Sequence, residues 1–279
     1  MNVVKADHAG ACFGVQRALD IALEASKSSA RAHTLGPLIH NPIVVRELAE
    51  AGVDEIASVS EADPNDTVII RSHGVTPQVM RDVESHVKNV LDATCPFVAA
   101  AQKAAYQLAE KHGCVVVVGE EGHPEVEGLT ARAAEAPARV IVASSPDDLP
   151  DDVYDPVGIV VQTTQERAAL DAVVDELRKR GINPDVKNTI CTATSQRQDA
   201  AIEIASRVDA VVVIGGRNSS NTTRLASICR SACARTYHIE SPDELDPSWF
   251  KGCETVGVTA GASTPESQIS RVIEYLETL

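Results

Sequence analysis

The sequence predicts an α/β protein made of three similar modules, each with a small parallel sheet. Three observations carry this. First, a cysteine is followed by a polar turn residue at one fixed spacing, three times over. Cys12 to His40, Cys95 to His123 and Cys191 to Ser219 are each 28 residues apart (40 − 12, 123 − 95, 219 − 191). Second, each interval holds the same series of features: a cysteine after a short β-branched run, an amphipathic stretch, another apolar run, one or two glycines, and a polar turn opening a helix. Third, runs such as "CVVVV" and "AVVVIGG" are apolar without alternation. Such runs suit strands covered by helices on both faces, and strands alternating with helices favour α/β architecture.

The elements follow in order. After Cys12, the residues Val15, Ala18, Leu19, Ala22 and Leu23 fall at helical spacing. After Cys95, the same holds for Ala101, Ala104, Ala105, Leu108 and Ala109. A second set of strand ends comes later in each module: "TVIIRSHGV" ends at His73, "GIVVQTT" at Thr163 and "TVGVTAGAS" near Ser263. Helix-start signals follow each one, at Thr76-Pro77, Thr164-Gln165-Glu166 and Thr264-Pro265. The modules are set at residues 1–95, 96–190 and 191–279, with Cys95 at a boundary. The acidic stretch "SSPDDLPDDVYDP" (144–156) reads as a linker or surface loop.

Composition narrows the function. Of 279 residues, 44% are hydrophobic but only 3% aromatic, so the core must rest on Val, Ile, Leu and Ala. A formal charge of −15 disfavours nucleic acid and anionic membranes as partners. No apolar run is long enough to span a bilayer, and "MNVVKADHAG" lacks the apolar core of a signal peptide. The chain reads as cytoplasmic. In that reducing compartment the 7 cysteines point to metal binding, catalysis or burial rather than to disulfides.

Ligands of open parallel sheets bind beyond the carboxyl ends of the strands. Cys12, Cys95 and Cys191 sit at such strand tips, where they could meet at a pseudo-threefold axis. Three thiolates fall short of the four protein ligands of structural zinc, but suit an iron–sulfur cluster with one iron left open. Cys114, Cys229, Cys233 and Cys253 lack such placement and read as core residues. His40, His73 and His123 lie at strand-end turns, where a protonated imidazole pairs well with phosphate. His8, His33, His86, His112 and His238 read as surface or packing residues. Glu125 stands beside His123 at a helix start and can act as a general acid if a water-poor site raises its pKa. Ser219, Ser220 and Asn221 open a helix with more small donors than a cap requires, and Thr163, Thr164 and Ser263 offer theirs in the same way. The sequence holds neither G-x-G-x-x-G nor a Walker A loop, so electrons for redox work must come from another protein.

Taken together, "ACFGVQRAL", "LGPLIHNPIVV", "SHGV", "DATCP", "GHPEVEG", "QTT", "RQDA", "NSSNTTRL" and "VTAGASTP" resemble the 4-hydroxy-3-methylbut-2-enyl diphosphate reductases, from Val3 to about Tyr275. The resemblance implies three α/β domains in a trefoil around one 4Fe–4S cluster per chain, held by Cys12, Cys95 and Cys191. It implies a diphosphate held by His40, His73, His123, Ser219, Ser220, Asn221 and Ser263. Glu125 would supply protons, with Thr163 as relay, and ferredoxin or flavodoxin would supply electrons. The products would be isopentenyl and dimethylallyl diphosphate, at the last step of the non-mevalonate isoprenoid pathway. "LRKRG" (177–181) is a candidate basic patch for an acidic donor.

The chain departs from the family pattern at Ala11, Val161, Thr192 and Ser195, none of them an implied ligand. These departures leave open a paralogue that reduces a different allylic alcohol. Two other readings compete: a cluster dehydratase of the quinolinate synthase type, which needs no external electrons, and a cluster-binding sensor, which gives no reason for the polar strand-end loops.

Overall fold

The computed structural model describes residues 1–28 and 30–279. Among these residues the strands form three four-stranded sheets, and every strand pairing is parallel. The first sheet comprises β2 (Ala32–Leu35), β3 (Val53–Ile56), β4 (Thr67–Ile70) and β5 (Asn89–Asp92), in the order β3-β2-β4-β5. The second comprises β6 (Cys114–Val118), β7 (Arg139–Ala143), β8 (Val157–Val161) and β9 (Asp185–Lys187), in the order β7-β6-β8-β9. The third comprises β1 (Asn2–Lys5), β10 (Ala210–Ile214), β11 (Thr236–Ile239) and β12 (Thr255–Ala260), in the order β11-β10-β12-β1.

The three orders are one topology with a single permutation. β1 fills in the third sheet the edge slot that β5 and β9 fill in theirs. The sequence division at residues 1–95 therefore differs from the sheets at its start, because β1 pairs with β12 and not with β2 to β5. The reason is the parallel ladder. β12 has a free edge whose N–H and C=O groups need partners, and β1 supplies them in register from Asn2↔Thr255 to Lys5↔Val258. Each module cysteine thus follows the edge strand of one sheet and opens the helix that leads to the next.

Those helices are α1 (Phe13–Ala25), α4 (Pro96–Lys111) and α7 (Thr192–Ala205). In α4, Pro96 sits in the first turn, where its missing N–H costs nothing. Its buried stripe is Val98, Ala101, Ala105, Leu108 and Ala109, as the periodicity predicts, apart from Ala104, which is only partly buried. In α1 the stripe runs through Val15, Ala18, Leu19 and Ala22 to Ala25, and Leu23 lies outside it, 44% exposed.

Both faces of the sheets are covered. In the second, Val116 and Val118 pack with Leu170, Val173 and Leu177 of α6 (Arg167–Lys179). Val115 and Val117 face α4 and α5 (Pro124–Ala133), meeting Ala101, Ala105 and Leu129. In the third, Val212 and Ile214 face Ile269, Val272 and Leu276 of α9 (Glu266–Glu277). Val211 and Val213 face α7 and α8 (Ser220–Ala232). Burying each such side chain contributes about 1.5–3 kcal/mol, which explains the unbroken valine runs. The remaining helices, α2 (Pro42–Glu50) and α3 (Pro77–His86), connect strands of the first sheet. The stretch 144–156 joins β7 to β8 and is a loop within the second sheet, not a linker between modules.

By internal contacts the chain divides into two compact units. One comprises Met1–Gln16, Ile39–Glu47 and Thr192–Leu279 and holds the third sheet. The other comprises Arg17–Leu38 and Leu48–Cys191 and holds the first and second sheets. Among the described residues, no helix is long and apolar enough to cross a membrane.

Candidate active site

In the first and second sheets the chain leaves its two central strands toward opposite edges, and in the third β1 occupies the edge beside β12; such a switch point is where open parallel sheets bind ligands. The central pairs are β2 and β4, β6 and β8, and β10 and β12. The loops after these six strand ends carry His40 and His73, then His123 with Glu125 and Thr163, then Ser219–Asn221 and Ser263. The sequence-predicted polar site residues therefore lie in the loops after these strands or in the first turn of the helix that follows.

Within the larger unit the loops of the first and second sheets are tied together. Glu125 in the first turn of α5 is 2% exposed, and Thr163, after β8, is 5% exposed. The Thr163 backbone N–H donates to Glu125 Oε1 at 2.6 Å, and its hydroxyl meets Oε2 at 2.9 Å. The Thr163 carbonyl in turn accepts the Cys191 backbone N–H at 2.9 Å. His123 is the N-cap of α5, and its Nδ1 accepts the Glu125 N–H at 3.1 Å. With Nδ1 accepting, Nε2 is the ring nitrogen left to face a ligand. The His73 ring lies edge-on to His123, with centroids 5.7 Å apart. Next to His73, the Ser72 carbonyl accepts the Cys95 N–H at 3.0 Å, and the Ser72 hydroxyl donates to Leu38 O at 3.0 Å.

Within the smaller unit a second set forms. The Cys12 N–H donates to Ala262 O at 3.2 Å, beside Ser263. Asn41, 1% exposed, donates from Nδ2 to Ser263 O at 2.8 Å and to Gln268 Oε1 at 2.9 Å. Its Oδ1 accepts the N–H groups of Ile43 and Val44 and so caps α2. Ser219 caps α8 by accepting the Thr222 N–H at 3.4 Å, and Ser220 and Asn221 form the first turn of that helix. The Asn221 Nδ2 is buried without a hydrogen-bond partner among the described residues. Gly216 is required in the same loop: a Cβ there would lie 2.5 Å from the carbonyl oxygen of His40.

The cysteines sort into two groups. Cys12, Cys95 and Cys191 are part-exposed at their loops. Cys95 is the N-cap of α4, yet its side chain makes no capping hydrogen bond. Cys114, Cys229 and Cys233 are buried in core clusters, and Cys253 packs against one. Burial raises the Cys114 and Cys253 thiols and pushes Cys229 up to about 12, so these stay protonated and make poor ligands. Among the described residues, no group of three or more His, Cys, Asp or Glu is placed to hold a metal ion.

Other expectations need adjustment. Thr76 caps α3 as predicted, accepting the Val79 N–H. The helix after Thr163 instead starts at Arg167 with Glu166 as N-cap, and α9 starts after Pro265. Thr264 turns inward and donates to Ile214 O. The cations of "LRKRG" pair with acidic residues of α6, Arg178 with Asp175 and both Lys179 and Arg180 with Glu176, three cations against two carboxylates. His33, His86, His112 and His238 are held by Asp66, Ala62 O, Asp185 and Gly215 O, in the structural roles expected for them. Two residues went unassigned from sequence. Asn41 had a readable signal, an Asn-Pro pair at a helix start. Arg197, 3% exposed in "RQDA", had none beyond its motif.

The fold and the six loops define a three-module α/β protein with polar groups and thiols at its strand ends. The LytB protein family model matches residues 3–277. A protein of Geobacter sp. strain M21 named 4-hydroxy-3-methylbut-2-enyl diphosphate reductase is 47% identical over 100% of this chain and 98% of its own length. One of Geobacter sulfurreducens with the same name is 48% identical, covering 99% and 97%. A solved structure described as (E)-4-hydroxy-3-methyl-but-2-enyl diphosphate reductase, the terminal enzyme of the non-mevalonate pathway, is 41% identical with a TM-score of 0.74 over 100% of both chains. A diphosphate reductase structure from Plasmodium falciparum, 24% identical with a TM-score of 0.89 over 99% of this chain and 87% of that one, shares the fold. The chain belongs to the LytB family.

Proposed function

We propose that this chain is the reductase that removes the hydroxyl of (E)-4-hydroxy-3-methylbut-2-enyl diphosphate, giving isopentenyl and dimethylallyl diphosphate as the last step of the non-mevalonate pathway. The balance is two electrons and two protons in, and the hydroxyl out as water. Electrons come from a one-electron donor protein of the ferredoxin or flavodoxin type, and the enzyme works in the cytoplasm.

The proposed cofactor is one 4Fe–4S cluster on Cys12, Cys95 and Cys191. The donor set fits it: three part-exposed thiols follow equivalent edge strands, while the other cysteines are buried or packed against the core. Such a cluster supplies electrons singly and a Lewis-acidic iron that eases departure of the hydroxyl. Backbone bonds from each cysteine N–H, to Ala262, Ser72 and Thr163, support these loops.

The chain's own residues do the rest. His123 offers its Nε2–H, and with His40, His73, Ser219, Ser220, Asn221 and Ser263 supplies donors for the diphosphate. The buried Asn221 Nδ2 is a donor that such an anion satisfies. Glu125 delivers protons, and Thr163 relays them, because its hydroxyl can turn from the carboxylate toward a substrate oxygen. The observation that carries this reading is the buried two-point contact of Glu125 with Thr163, whose own carbonyl holds Cys191. The test is an anaerobic, reductant-driven assay with the hydroxy-diphosphate. A colourless chain without iron or sulfide, or no loss of the hydroxyl, would end it.

A further inference from the structure

Arg197 is buried where a cation is costly, and its contacts run to the loop of Cys12. It is 3% exposed in α7. Nη1 donates to Ala193 O at 3.0 Å, one turn earlier in its own helix, and Nη2 donates to Gly10 O at 2.8 Å. The Gly10 loop is tightly wound: His8 has φ +57 and Gly10 φ +102, both left-handed. A side chain at Gly10 would also meet Ile269 at 2.8 Å. Main-chain bonds from Gly10 N to Ala260 O and from Cys12 N to Ala262 O brace this loop on its N–H side. The guanidinium adds a charge-assisted bond on the carbonyl side. Arg197 and Cys12 also line one cavity of about 190 Å³, with His8, Ala9, Ala11, Ala193 and Gln196.

We infer that Arg197 is a positioning residue for the cluster, fixing the Cys12 loop through Gly10 and placing a permanent positive charge beside that ligand. The inference rests on the proposed cluster. Taking an ion out of water is costly, and a guanidinium recovers that cost only against carbonyls and negative charge. A cluster ligated by thiolates provides negative charge, and a nearby cation stabilises its reduced form over its oxidised one. The two roles separate by chemistry. The planar fork reaches two carbonyls at once, whereas lysine keeps the charge but not the fork.

The experiment uses the full chain and the variants Arg197→Lys and Arg197→Met, reconstituted anaerobically with iron and sulfide. Cluster content is measured against a competing chelator, and midpoint potential by dye-mediated titration. Arg197→Lys is expected to hold the cluster about 10-fold more weakly, the size of effect seen when the supports of metal ligands are lost, with its potential unchanged. Arg197→Met is expected to show the same weakening and a shift to lower potential. Wild-type affinity in Arg197→Lys overturns the positioning role, and an unshifted potential in Arg197→Met overturns the electrostatic one. If Arg197→Met does not fold, Arg197→Gln, also uncharged and close in length, replaces it with the same criteria. A wild-type chain that takes up no cluster defeats the functional reading first, which keeps the two failures distinct.

Discussion

Glu125 and Thr163 meet at two points: the Thr163 N–H on one carboxylate oxygen at 2.6 Å and its hydroxyl on the other at 2.9 Å, both side chains buried. The backbone contact fixes the carboxylate, and the hydroxyl contact is the one free to rearrange. Replacing Glu125 with Gln keeps the size but removes the exchangeable proton. Turnover is expected to fall about 10²–10⁴-fold, as for loss of a general acid, with iron and sulfide content unchanged. Thr163→Ala should lower turnover while Thr163→Ser restores most of it, because serine keeps the hydroxyl. Turnover assays beside iron analysis decide this, and undiminished turnover in Glu125→Gln would remove Glu125 from the mechanism.

The two classes of cysteine predict a selective pattern. Cys12→Ser, Cys95→Ser and Cys191→Ser should each lose most of the iron and sulfide. Cys229→Ser should retain both, because that thiol is buried and shifted up to about 12. Its cost is stability, about 1–3 kcal/mol for a hydroxyl placed in an apolar cluster. Metal analysis and melting temperature on the same four samples separate the classes.

The sequence made the modules legible because each repeats one device, a strand tip followed by a helix start, and the valine runs are what a doubly covered strand requires. The equivalent placement of His73, Thr163 and Ser263 was readable for the same reason. The pairing of β1 with β12 was not, since a ladder between chain ends leaves no local pattern. Arg197 was illegible because its partner, the Gly10 carbonyl, lies far away in sequence and main-chain acceptors look alike at every position. The internal pairing of Arg178, Lys179 and Arg180 did have a signal, in the acidic residues one turn before them.

Asn41 joins the loop of His40 to that of Ser263 through its amide nitrogen and caps α2 through its oxygen. Asn41→Asp keeps the cap but loses the donor, and sets a second acceptor against the Ser263 carbonyl and Gln268. Asn41→Ala loses both functions, the cap alone costing about 1 kcal/mol. Both variants should raise KM for the diphosphate more than they lower kcat, because they displace binding groups and not the Glu125–Thr163 pair. Gly216→Ala should act in the same direction, since its Cβ would push on the His40 carbonyl. Steady-state kinetics of the three variants tests this, and an unchanged KM in all of them would separate these loops from substrate binding.

Acid stability offers a check on the second sheet alone. Asp185 on β9 accepts hydrogen bonds from Lys111 at 2.6 Å and His112 at 3.0 Å, at the end of α4. The Lys111 ammonium first, then His112, holds its carboxyl down at about 2 from the usual 3.8. A group lowered by folding stabilises above its unfolded pKa, and this contribution fades as pH falls from about 3.8 toward 2. The full shift would correspond to about 2.4 kcal/mol. Lys111 is 66% exposed and Asp185 27%, so solvent screening reduces this to about 1 kcal/mol. Asp185→Asn should therefore melt about 2–4 °C below wild type at pH 7. The gap should close as pH falls through that window, and should shrink at high salt. Melting curves across pH measure it, and a gap that persists unchanged at pH 2 would mean that Asp185 contributes by packing and not by charge.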